Sequence, residues 1–347
     1  MKRILHVCSD EKFIDYAISN FKNIGYVEND FVVITNNESL KYIKDRDVVI
    51  KSRQSFLKDI LLYRLRTYDA VVFHSMNELF KLFLKFIPKR IKVCWIGFGF
   101  DYYIYSSLIK EKNKKSIKNF IKKEIFDLDA SYKKIDYFCP VLESEFESVA
   151  LQLKLNAKYI DWNYGSSDKI VEKLKADYVN GDSILLGNSA SETNNHIEII
   201  DGLVKANEKR EVVIPLSYGD NNYAEMIISK LSTTSLNYTI LRDFLTQEEY
   251  FNILKRCSFV IMNHKRQQAA GNILIMLSLG AKVFLDKENP LYDYFKCLGF
   301  KVFNKDNFNC DNMSKDDVAI NKELSLKSFN SEITINKTKA LIDKLIN

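Results

Sequence analysis

The sequence predicts an α/β fold of two Rossmann-like domains, each a doubly wound parallel sheet. Three observations predict it. At 347 residues the chain exceeds one ordinary core and suits two domains of moderate size. Short apolar runs bounded by polar residues alternate with amphipathic stretches, the signature of strand–helix–strand units. That alternation also restarts half-way along the chain, after the polar passage "GSSDKIVEKLKADYVNGD".

In the first half, "ILHV", "DFVVIT", "DAVVFH", "IKVCWIG" and "IDYFCPV" read as buried strands. Between them, "KFIDYAISNFKNI" and "NELFKLFLKFI" carry apolar residues at helical spacing. In the second half, "SILLGNS", "REVVIPLSYG", "NYTIL", "CSFVIMNH" and "AKVFLD" are the strands, with "HIEIIDGLVKA", "NNYAEMIISKL" and "QEEYFNILKR" as helices. The pattern divides into a domain over 1–165, a second over 166–325 and a helical tail over 326–347. Two such domains leave a cleft between them, with ligands at the carboxyl ends of the strands.

Composition narrows the class. An apolar fraction of 46% and an aromatic fraction of 13% describe a globular chain, not a disordered one. No apolar run reaches the roughly 18 residues a spanning helix needs. "MKRILHVCSD" lacks a signal peptide's long apolar region and reads as a first strand. The six cysteines show no paired spacing, and four lie in apolar contexts, so buried free thiols in a cytoplasmic protein are expected. Charge is uneven. Of the 51 Lys/Arg and 45 Asp/Glu, residues 1–165 hold 28 and 21, a net of +7, leaving 23 and 24, a net of −1. The first half therefore suits an anionic surface or acceptor.

The stretch "NHKRQQAAGNILIMLSLG" follows a strand and opens an apolar helix. A helix N-terminus presents unbonded N–H groups and partial positive charge. The small residues Ala269, Ala270 and Gly271 let an anion approach, and Arg266 adds a charge-assisted contact. A diphosphate fits such a site; a surface loop with one helix cap is the alternative.

Four blocks in the second half, "LLGNSASETNNH", "VVIPLSYGDNN", "RQQAAGN" and "DKENPLYDY", resemble glycosyltransferase family 56 in order and spacing. This is the 4-alpha-L-fucosyltransferase family, which includes the TDP-4-acetamido-4,6-dideoxygalactose:lipid II transferases. In the first half, "WIGFGFDYY" is similar to the family's W-x-x-W-G-x-D-x-Y. The chain departs from the pattern at Ala269 and Ala190, where the family has Gly, at Phe98 for a second Trp and at Ile96 for a His. The resemblance implies a GT-B-like architecture and a dTDP-sugar donor. It also implies an undecaprenyl-diphosphate-linked oligosaccharide acceptor, in O-antigen or common-antigen type surface polysaccharide synthesis. That places the enzyme peripherally at the cytoplasmic face of the inner membrane.

Glycosyl transfer needs stabilisation of the departing diphosphate and an aligned acceptor hydroxyl. The candidate donor-binding residues are Arg266, Gln267, Gln268 and Gly271, then Gly187, Asn188 and Ser189 at a strand–turn–helix junction. Tyr218, Asn222, Glu288 and Asn289 follow strands and could meet base, ribose or sugar. As a base in the acceptor half, Asp101 and His74 compete with Asp10, all at strand ends; Asp10, Gly99 and Tyr103 are candidate acceptor contacts. His196 and His264 suit phosphate or structure, and His6 the core.

No metal is expected, nor any cofactor besides the donor substrate. "DRD" (45–47) and "DLD" (127–129) read as solvated surface, and no zinc spacing or "GKS/T" loop occurs. "NELFKLFLKFIPKRIK" and "LIKEKNKKSIKNFIKKEIF" mix Lys with Phe, Leu and Ile, as a helix on anionic lipid does; a core helix with a solvated Lys face is the other account. The basic half lacks a nucleic-acid-binding module, so nucleic acid is not an expected partner. A sugar-nucleotide epimerase of similar fold and a non-catalytic nucleotide-sugar- or glycolipid-binding protein at the membrane surface are the rival functions.

Overall fold

The computed structural model describes all residues except 12, 38, 46, 62–63, 104–127, 166–167 and 244. The chain forms two compact units, Met1–Ser166 with Ser331–Asn347, and Ser167–Asn330. The lysine-rich segment 108–126 and Asp127 lie outside the described residues.

The first unit holds a seven-stranded sheet: β1 (Lys2–Cys8), β2 (Val27–Ile34), β3 (Val49–Lys51), β4 (Ala70–His74), β5 (Lys92–Ile96), β6 (Tyr137–Cys139) and β7 (Lys158–Tyr159). Its order is β3-β2-β1-β4-β5-β6-β7, and every pairing is parallel. Parallel sheets are covered on both faces and so need continuous apolar runs. Accordingly all of "AVVFH" in β4 is buried. Helix Ile14–Lys22 covers one face with Ile14, Ala17, Ile18 and Phe21, one stripe at helical spacing. The closing helix, Ser331–Ile346, packs on the same core through Leu341, Ile342 and Leu345, and Trp162 Nε1 donates to Thr338 Oγ1 at 3.0 Å.

Helix Glu78–Leu84 settles one expectation. Asn77 caps it, accepting from Phe80 N–H at 3.0 Å, and Phe80, Phe83, Leu84 and the following Ile87 are all in the core. Each such side chain contributes about 1.5–3 kcal/mol by leaving water, so the apolar face of the helix is already engaged. It packs the domain. Lys81 is buried with it, paired to Glu78 at 2.7 Å and facing the Tyr132 ring.

The second unit holds β8 (Ile184–Leu186), β9 (Val212–Pro215), β10 (Tyr238–Leu241), β11 (Phe259–Met262), β12 (Lys282–Leu285) and β13 (Phe303–Asn304). The order is β10-β9-β8-β11-β12-β13, again all parallel. Helix Ala270–Ser278 buries Ile273–Ser278 without a break, which explains its lack of a polar face. No helix among the described residues is long and apolar enough to cross a membrane. Cys8, Cys94, Cys139 and Cys257 are free and buried.

Candidate functional site

In a doubly wound sheet the ligand crevice lies where strand order reverses, at the carboxyl ends. In the second unit that point falls between β8 and β11. Gly187 follows β8 with φ 68°, and a Cβ there would overlap His196 Nε2 and Asn194 Oδ1. Only glycine fits, so the next residues turn sharply into the crevice.

Asn194 is the hub of a polar cluster at this turn. Its Nδ2 donates to Ser189 Oγ (3.2 Å) and Ser191 O (3.1 Å), which leaves Oδ1 as acceptor for Asn188 N–H (2.9 Å) and His264 Nε2 (2.8 Å). His264 Nε2 also faces Asn188 Oδ1 at 3.1 Å, so this nitrogen carries the proton. Its Nδ1 is buried without a partner among the described residues. Burial, with Arg266 and His196 nearby, lowers the His264 pKa to about 3, so the ring is neutral. Asn188 Nδ2 donates to Tyr218 Oη at 2.7 Å, and Gln268 Nε2 donates to Asn188 Oδ1 at 3.1 Å. These bonds bring Asn188, Ser189, Tyr218 and Gln268 together, with Gly187 as the pivot.

The loop after β11 runs into helix Ala270–Ser278. Ala269 is its N-cap residue at φ 61°, ψ 22°, with no side-chain cap. First-turn N–H groups therefore lack an intrahelical acceptor there. In this loop Arg266 is half-buried and Gln267 buried, and Gly271, in the first turn of the helix, is half-buried. The remaining donor candidates stand elsewhere. Asn222 is exposed in the first turn of helix Asn221–Ser232, which Asp220 caps. Glu288 is exposed and pairs with Lys265 at 3.0 Å. Asn289 is wholly buried and caps helix Pro290–Cys297, its Oδ1 accepting from Leu291 N–H at 3.0 Å, while its Nδ2 has no partner among the described residues. Asn194 and Thr193 escaped the sequence reading, although the run "ETNNH" just before a helix was the signal.

In the first unit the order reverses between β1 and β4. Asp10, after β1, accepts from the N–H groups of Lys41, Tyr42 and Ile43 and braces that loop. Asp101 is 2% exposed. Its Oδ2 accepts from Met76 N–H and Trp95 Nε1, and its Oδ1 from Phe98 N–H, each at 2.9 Å. Burial pushes its carboxyl up to about 6 against the pull of those donors. A base must reach the proton it takes; this carboxylate is instead enclosed by donors and anchors its own loop. Gly99, at φ 96°, accepts from Tyr102 and Tyr103 N–H, and the Tyr103 hydroxyl bonds Glu145. Tyr103 is thereby a packing residue.

His74 is likewise occupied. Asn29 Nδ2 donates to Phe21 O, so its Oδ1 faces His6 Nε2 at 3.0 Å. His6 then donates from Nε2 and accepts at Nδ1 from His74 Nε2, at 3.0 Å. His74 Nδ1 accepts from the Tyr164 hydroxyl at 3.1 Å. Burial lowers the His6 pKa to about 3 and that of His74 well below its ordinary value. Both rings are neutral links in one directed chain.

The family described as 4-alpha-L-fucosyltransferase, glycosyl transferase group 56, matches residues 13–335. The chain belongs to glycosyltransferase family 56. This family-56 protein is a hexosyltransferase with an α/β fold of GT-B type. Sucrose-phosphate synthase from Thermosynechococcus elongatus aligns with a TM-score of 0.67 at 8% identity, over 99% of each chain. Anabaena HepE, in complex with UDP-glucose, aligns at 0.64 and 9%, over 99% of this chain and 100% of that one. UDP-GlcNAc 2-epimerase from Neisseria meningitidis aligns at 0.52 and 13%, over 100% of both. The fold is thus shared with an epimerase, and it is the family match that makes the transferase assignment.

Proposed function

We propose that this family-56 transferase moves a deoxy- or deoxyaminohexose from a dTDP-sugar to an undecaprenyl-diphosphate-linked oligosaccharide in surface polysaccharide synthesis. One observation carries the donor half. Helix Ala270–Ser278 opens without a side-chain cap directly after the switch-point loop that holds Arg266. Unbonded amides and a guanidinium there suit the charge that develops on a departing diphosphate. Gln268 joins the same loop to Asn188, beside Gly187 and Ser189. With this charge supplied by the chain, the reaction needs no metal, and chelation should leave turnover intact. HepE, of like fold, was captured with UDP-glucose, which favours a nucleotide sugar here.

The acceptor half of the reading rests on the family and on the positive excess of residues 1–165. That excess favours peripheral attachment to an anionic leaflet at the cytoplasmic face of the membrane. Co-sedimentation with vesicles rich in anionic lipid, lost at high salt, is the expected behaviour.

Titration calorimetry with dTDP, UDP and GDP, without added metal, tests the donor assignment. A preference for dTDP is expected, weakened by about 1.5–3 kcal/mol in Arg266→Ala, the range for a charge-assisted bond. Equal affinity in the variant would remove Arg266 from the site.

A further inference from the structure

At the switch point of the first unit, three aromatic rings form a near-parallel row. Tyr164 and Phe98 lie with centroids 4.9 Å apart at 18°, and Phe98 and Phe100 at 5.9 Å and 13°. The outermost ring, Phe100, is 51% exposed. The row is fixed from both ends. Tyr164 is held by His74 through its hydroxyl and by Asn20 Nδ2 through its carbonyl at 3.0 Å. The loop bearing Phe98 and Phe100 is pinned by Asp101.

Ser75, the residue after β4, is buried and lies in the left-handed region, at φ 70°. That conformation costs a non-glycine residue roughly 1–2 kcal/mol. It persists because Ser75 N–H donates to Ile96 O at 2.8 Å and Met76 N–H to Asp101. Glycine would make both bonds without the strain. What serine adds is a hydroxyl, on a residue bonded to Ile96, just before Phe98 in the chain.

We propose that the Phe98–Phe100 row and the Ser75 hydroxyl form a subsite for a pyranose ring of the acceptor. This rests on the reading that the first unit takes the acceptor. A pyranose has one face of axial C–H bonds, which settles on the face of an aromatic ring, and a rim of hydroxyls that needs a donor and acceptor such as Oγ. A polyprenyl chain needs a continuous apolar surface instead. Here a single half-exposed ring stands in a segment tied through Asp101 to Met76, the residue after the polar Ser75. A rigid platform also loses little side-chain freedom on binding.

The test uses the full chain and saturation-transfer NMR with three probes: methyl β-D-glucopyranoside, methyl α-D-galactopyranoside and methyl N-acetyl-β-D-glucosaminide. At least one should receive saturation, strongest at its ring C–H protons. The signal should fall at least five-fold in Phe100→Ala and three-fold in Ser75→Gly, and persist in Phe100→Trp. Circular dichroism checks that each variant is folded, and Phe100→Trp keeps the test decisive if Phe100→Ala is not. Equal signals in wild type and Phe100→Ala, no transfer to any glycoside, or transfer only to citronellyl phosphate would overturn the subsite. Calorimetry with dTDP on the same samples should change less than two-fold. Failure of dTDP to bind wild-type protein would count against the donor reading alone.

Discussion

Gln268 donates its side-chain amide to Asn188 Oδ1 at 3.1 Å while its own Oε1 accepts from Thr193 Oγ1 at 2.6 Å. One side chain therefore couples the loop after β8 to the loop that opens helix Ala270–Ser278. The loop after β8 carries only the short 3-10 turn Glu192–Asn194, so the register of the two loops rests on this bridge together with the His264 contacts to Asn188 and Asn194. Gln268→Ala should weaken dTDP binding roughly tenfold, the effect of one or two lost hydrogen bonds. Calorimetry reads this directly, and unchanged affinity would show the loops to be positioned by other contacts.

Asp101 offers a sharper contrast. As the anchor of the 97–103 loop, it faces three N–H donors. Asp101→Asn turns an NH2 toward at least one of them and leaves buried donors unmatched, at about 1–3 kcal/mol. Denaturant unfolding should show that loss of stability. Full stability with activity abolished would return the residue to the role of base.

Ala269 sits in the left-handed region at φ 61°. Ala269→Gly should raise stability by about 1 kcal/mol, because glycine adopts that backbone freely. A drop in melting temperature would mean that the methyl group packs more usefully than the strain costs.

All four histidines are wholly buried. Burial lowers His6 and His264 to about 3 and His196 to about 4. A histidine with a depressed folded pKa binds more protons unfolded than folded. Its contribution is complete above about 6.5 and drains away as pH falls toward the folded value, by up to about 1.4 kcal/mol per pH unit. Asp101, raised to about 6, acts in the opposite sense between about 4 and 6, but it is one group against four. Melting temperature should therefore fall between pH 7 and pH 5, and a rise on acidification would contradict the neutral-histidine assignment.

The long central strands were legible because a strand covered on both faces must be apolar throughout, as "AVVFH" and "FVIM" are. The edge strands β3, β7 and β13 were not. Val49 and Ile50 in β3 are half-exposed, and β7 and β13 span only two residues each, too short to show a pattern. At the candidate site, the turn at Gly187 and the helix opening after Arg266 could be read from residue type. The engagement of Asp101 and His74 could not, because their partners Trp95, Met76, His6 and Tyr164 come from other strands and loops. A carboxylate at a strand end looks the same in sequence whether it faces substrate or its own loop. The same ambiguity keeps two accounts of "NELFKLFLKFIPKRIK" open in the sequence, because Phe and Leu at helical spacing serve a core as well as a bilayer.

The helix Ser331–Ile346 belongs to the first unit although the whole second unit precedes it in the chain. During synthesis the second unit emerges as one contiguous piece and can fold as soon as it clears the ribosome. The first unit must wait with part of its core uncovered until Leu341, Ile342 and Leu345 have been made. A chain broken off before that helix would carry a contiguous second unit and a first unit whose core is still uncovered.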